Sequence, residues 1–166
     1  APVEVEVFGG FGSSSDASLN RLKPSFIDDE LLVIPGMDQA VGLTYGYGTR
    51  VSDPVGMRTG SISLIGVDGR LNDVLFADMV EFIGGGPESL DQLLDDDNVV
   101  VISEGLAQGL AVPLGGIIKI TGAGLDHVEE LRVVGIARTM PGFRSINRVR
   151  AQGVDGSDVF ISMDGF

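Results

Sequence analysis

Cysteine is absent from the 166 residues, which excludes a disulfide framework and a thiolate zinc site and leaves the redox compartment unreadable. Basic residues are scarce. Eleven lysines and arginines stand against 24 acids, for a formal net charge of -13. That balance excludes general phosphate neutralisation of nucleic acid and disfavours docking of the whole surface onto anionic lipid. Mean hydropathy is high at +0.28, yet no apolar run approaches the about 20 residues of a membrane helix. There is one histidine, His127. No signal peptide is visible and the first residue is Ala1, which is expected of a chain processed or cut from something larger.

The length suits one well-cored domain or two small lobes. Val3, Val5 and Val7 alternate with Glu4 and Glu6 as in a half-buried strand. Gly9 to Ser18 reads as a loop, and no Gly-Lys-Ser/Thr follows it to hold a phosphate. Phe26 to Ile34 has helical spacing, with Asp28, Asp29 and Glu30 at its start and Pro35-Gly36 as its stop. Strands are expected over Ala40 to Val51 and Thr59 to Val67, then a helix over Leu71 to Phe82 interrupted by Gly84-Gly85-Gly86-Pro87. A helical turn over Ser89 to Leu94 precedes a buried strand, Asn98 to Ile102. Ile117 to Thr121 and Leu131 to Ala137 are strands of a hairpin joined by GAGLDHVEE. Arg138 to Asp158 is a long excursion, and Val159 to Met163 closes the chain as a strand. Strands and short helices mixed without a steady βαβ rhythm give an α+β fold.

Chemistry-bearing patterns are thin. Ser103 stands where an N-cap belongs, with Glu104 favourable to the helix dipole and Leu106 and Leu110 forming an apolar stripe. As a nucleophile Ser103 needs a base, and nothing in the sequence brings His127 to it. Asp95-Asp96-Asp97 lacks the glycine and glutamate of a calcium loop and reads as a solvated run. His127 has no partner at zinc-ligand spacing. The 24 acids offer no spacing that singles out a glycosidase pair. No catalytic residue, cofactor or metal site is expected.

Five segments occur in order: VIPGMDQAV (Val33 to Val41), SISLIGVDG (Ser61 to Gly69), VVVISEGLAQGLAVPLGGIIKI (Val99 to Ile120), LRVVGIARTMPG (Leu131 to Gly142) and DVFISMDGF (Asp158 to Phe166). Together they resemble the extracytoplasmic core domain of MacB/FtsX/LolC-type ABC transporter permeases, with Ala111 where that family usually has glycine and Gly116 where it usually has a polar residue. The resemblance implies one extracytoplasmic domain, residues 1–166, excised between two transmembrane helices, with an αβ lobe and a smaller β-rich lobe. It implies a non-catalytic role at the cell membrane, coupling motion driven by an ATP-binding subunit or domain to export, lipoprotein release or regulation of an extracytoplasmic partner. Its implied partners are the chain's own transmembrane helices, a second permease copy, and a lipoprotein, peptide, drug or partner protein outside, but no nucleic acid. The rival reading is a free-standing secreted ligand-binding domain or hydrolase. Both strand-bearing ends, Val3 to Val7 and Val159 to Met163, are expected in one lobe.

Charge is segregated along the chain. Leu71 to Ile118 holds nine acids and no base, whereas Leu131 to Val154 holds five arginines and no acid. One reading pairs the arginines with the acidic stretch as surface ion pairs. The other makes Met140 to Arg150 a contact loop for a partner protein or the membrane surface, with Phe143 as apolar anchor and Arg144, Arg148 and Arg150 as guanidinium forks.

Overall fold

The computed structural model describes residues 26–75, 79–122, 125–140 and 158–162. The chain divides into two compact units, Ala1–Ala40 and Val41–Phe166. In the first, the helix expected over Phe26 to Ile34 is only a π-helical turn, Ile27–Leu31. Two β-branched residues, Val33 and Ile34, precede Pro35, and the residue before proline is driven out of the helical region. The Val3 to Val7 strand lies outside the described residues.

The second unit runs β1 (Leu43–Ser52), β2 (Thr59–Val67), α1 (Leu71–Val74), β3 (Glu81–Gly84), α2 (Glu88–Asp95), β4 (Val99–Ser103), α3 (Glu104–Leu110), β5 (Ile117–Gly122), β6 (Leu125–Thr139) and β7 (Asp158–Ser162). The order β3-β6-β4-β7-β2-β1-β5, with β5 also pairing to β6, closes six strands into a ring and leaves β3 as an outer strand on β6. Parallel pairs β2–β7 and β4–β6 sit among antiparallel ones, so the fold is the mixed α+β arrangement expected.

Two expectations need correction. The helix over Leu71 to Phe82 stops at Val74, and Glu81–Gly84 is a strand paired with β6. Strand propensity there is realised by a partner some fifty residues downstream, which local periodicity does not reveal. The polar GAGLDHVEE stretch is mostly strand, because β6 begins at Leu125 and runs through Arg138 and Thr139.

Period-two alternation builds two cores. Val100 and Ile102 of β4, Val159 and Ile161 of β7, and Ile62 and Leu64 of β2 face one cluster, closed by Leu106 and Leu110 of α3. Val99, Val101, Phe160, Ile65 and Val67 face the other, covered by Leu71, Leu90 and Leu93 of α1 and α2. β4 and β7 are buried along their whole length. Each fully buried aliphatic side chain contributes about 1.5–3 kcal/mol.

One residue is added in β6. Val100 pairs with Val133, but Val101 pairs with Gly135, so Val134 is a β-bulge that reverses the facing of the strand. Leu131 and Val133 lie in the first cluster, Val134 and Ala137 in the second, and Ile136 in the first again. The buried Ser89 hydroxyl at the start of α2 donates to the Val134 carbonyl at 2.8 Å and accepts from the Gly86 amide at 3.2 Å. Glycine is required where these segments meet. A Cβ on Gly135 would stand 2.9 Å from Ser89 Cβ, and one on Gly85, at φ +75, 2.6 Å from the Val134 carbonyl oxygen.

α3 ends on Ala111, at φ 52 and ψ 43, in the left-handed region that disfavours a side chain. Val112 N donating to Ala107 O at 3.0 Å completes a Schellman-type closure.

Ser89→Ala is expected to destabilise the fold by about 1–3 kcal/mol through the unsatisfied Val134 carbonyl, and Gly135→Ala by about 1–3 kcal/mol through overpacking. Urea unfolding measures both, and wild-type midpoints would refute the bulge contact. Ala111→Gly is expected to raise stability by about 0.5–1 kcal/mol by removing left-handed strain. An unchanged or lower urea midpoint would count against that cap geometry.

Candidate interaction surface

Ser103 ends β4 and opens α3, and its Oγ accepts from the Leu106 amide at 3.4 Å, so the N-cap reading holds. Its pairing partner on β6 is Ala137. His127 lies ten residues away on the same strand, a separation of about 30 Å at the extended rise per residue. The two do not form a nucleophile–base pair. The side chain of His127 falls outside the described residues.

Asp96, from the acidic run, accepts from the Asn98 amide at 2.9 Å and from Arg132 at 3.4 Å. Among the described residues no three or more His, Asp or Glu side chains gather as a metal cluster.

The acidic and arginine-rich stretches meet because β6 runs beside both β3 and β4. Arg132 and Arg138 are six apart, and in a regular strand they would share a face. The bulge at Val134 puts them on opposite faces. Arg132 reaches Asp96 beyond α2 at 3.4 Å, and Arg138 reaches Glu104 at the start of α3 at 2.8 Å. Arg138 also meets Glu81 of β3 at 2.5 Å. For these two arginines the ion-pair reading is realised. Phe143, Arg144, Arg148 and Arg150 lie outside the described residues.

The Arg138 hydrogen bond, aided by the guanidinium charge and opposed by partial burial, holds the Glu104 carboxyl below its ordinary value. Hydrogen bonding and attraction from Glu104, then attraction from Glu81, push Arg138 upward. Both side chains are substantially exposed, so solvent screens the pair.

A second feature was passed over in the sequence. The β1–β2 turn, Asp53 to Arg58, is tied down by its own bonds. Asp53 Oδ1 accepts from the Met57 amide at 2.8 Å, and the Gly56 amide donates to Asp53 O at 3.0 Å. Arg58 Nη1 donates to Leu110 O at 3.3 Å, fixing the turn to the end of α3. On this held turn Val55 is 75% and Met57 85% exposed. At its base, Arg50, Ser52, Thr59 and Thr121 surround a shallow cleft of about 230 Å³ on the outer face of β1, β2 and β5. Among the described residues Lys119, Arg132 and Arg138 have carboxylate partners, and Arg50 has none.

A model of the MacB-like periplasmic core domain family matches residues 5–166. The fold is similar to the extracellular domain of the noncanonic ABC-type transporter YknZ from Gram-positive bacteria, with TM-score 0.58 and 16% identity over 86% of this chain and 63% of that one. It is also similar to a domain of a permease-like protein from Porphyromonas gingivalis, with TM-score 0.52 and 22% identity over 84% of this chain and 51% of that one. The chain therefore spans less than two thirds of either solved structure. No curated protein matches it in sequence.

Because the folded-state value of Glu104 is depressed, its stabilising contribution is present above the unfolded value and is lost as pH falls through the folded one. Arg138→Gln should move the Glu104 carboxyl titration, followed by carbon NMR, up toward the ordinary range. It should also cost more stability near neutrality than in acid below that titration. An unmoved titration would refute the Arg138–Glu104 pairing.

Proposed function

The chain belongs to the MacB-like periplasmic core domain family, and from that premise we propose that it is the extracytoplasmic domain of an ABC transporter permease. In this reading it has no active site of its own. It passes motion of membrane helices, driven by an ATP-binding subunit or domain and shared with a second permease copy, to a substrate or partner outside the cell membrane.

The observation that carries the reading is the family match across nearly the whole chain. Two further features agree with it. The one residue with nucleophile-like placement, Ser103, serves as a helix cap. The sheet forms a stiff, doubly buried centre of the kind that transmits displacement as a unit. No helix among the described residues is long and apolar enough to cross a membrane. Lipoprotein, peptide and drug export are all within the proposal, as is regulation of an extracytoplasmic partner.

The lack of cysteine in these 166 residues gives a clean test. In the full-length gene product expressed in its host, Val55→Cys is expected to react with a membrane-impermeant maleimide in intact cells, well above the parent protein. Labelling only after lysis would place the domain inside the cell and overturn the proposal.

A further inference from the structure

The β1–β2 turn combines features that a plain solvated hairpin does not require. Single exposed apolar residues are ordinary on a protein surface. Val55 and Met57, however, are the two most exposed large apolar residues described, and turn positions are usually polar or glycine. Internal bonds from Asp53 and the Arg58 link to Leu110 hold them in place. A group presented on a fixed support loses little freedom on binding.

The electrostatics point the same way. In a chain of net charge -13, Leu43 to Val67 contains Arg50, Arg58 and a single acid, Asp53, which is buried with its carboxylate turned to the Met57 amide. The outer face beside the turn thus offers an unpaired guanidinium among the hydroxyls of Ser52, Thr59 and Thr121. A guanidinium fork with hydroxyl donors suits a carboxylate, and the apolar tip suits a neighbouring hydrophobic side chain.

We propose that this turn and the cleft at its base form a docking site for a polypeptide segment of a partner protein that carries a carboxylate beside an apolar side chain. Charge complementarity selects such a segment over a basic one. A short segment meets only this locally acid-poor stretch, whereas an anionic lipid surface is wide enough to face the other acids of the chain as well. The site goes beyond the transport reading and stands or falls separately from it, since its test uses the 166-residue chain alone.

The probe is a ten-residue peptide of alternating glutamate and leucine, with a lysine–leucine peptide as its control. Binding is followed by NMR at the Met57 methyl and the Thr59 and Thr121 amides. The acidic peptide should shift all three signals, with weakening as salt is raised, and the lysine peptide should not. Arg50→Glu should weaken binding by about tenfold or more. Arg50→Gln and the pair Val55→Ser with Met57→Ser should each weaken it at an unchanged melting temperature. Any of four results would overturn the proposal: no shift from the acidic peptide at millimolar concentration, equal shifts from both peptides, binding retained in the Arg50 variants, or self-association or anionic-vesicle binding through these residues instead.

Discussion

The architecture turns on one inserted residue. Val134 has no pairing partner on β4, and by occupying a bulge it reverses which way β6 points from there to its end. Ile136 is thereby returned to the ring-facing core and Ala137 to the helix-covered one. Shift the register by one and the larger side chain would leave its cluster while arginines turned inward. The bulge frees a carbonyl that must be satisfied in a dry place, and Ser89 satisfies it. That contact brings α2 so close to the strand that glycine is needed on both sides. Backbone irregularity, serine and glycines form one unit.

The charge pattern becomes intelligible from the same geometry. Nine acids followed by an arginine-rich stretch look in one dimension like two separate blocks, each of like charge. Parallel pairing of β4 with β6 lays the second beside the first. The two arginines then serve opposite faces, one at the end of α2 and the other at the start of α3. Such exposed pairs add little energy individually. Their value lies in disfavouring a slipped register, which would set guanidinium groups against apolar neighbours.

Much of this was legible where the sequence is locally self-consistent. Serine and apolar residues alternate from Ser61 to Leu64, and Thr59–Val67 is a strand at those bounds; the serine before an apolar helical stripe caps it. Ala111, which departs from the glycine usual in the family at that place, proved to be the one non-glycine among the described residues held at positive φ. Legibility failed where a partner distant in sequence decides the outcome. Glu81–Gly84 is a strand because β6 is there to receive it, and Leu125 to Glu130 is strand rather than linker because β5 is. Ring closure leaves no mark in any short window. The β1–β2 turn was read only as a break between strands, since turn grammar says where a chain reverses and nothing about what the reversal displays. Arg50 was passed over for a similar reason: a lone cation on a serine- and threonine-rich strand is unremarkable until its neighbours are seen to lack carboxylates.

The last described strand sits inside the sheet and not at its rim. β7 lies between β2 and β4, parallel to the first over five residue pairs and antiparallel to the second over two. Hydrogen bonds run perpendicular to the strands in an antiparallel ladder and at a slant across them in a parallel one. A tug along the backbone beyond Ser162 would therefore load both ladders in shear, and many bonds would have to yield together. An edge strand pulled sideways would peel open one bond at a time. Tension entering by this route would reach the middle of the hydrophobic interior, where resistance is shared between two ladders, before it reached the rim.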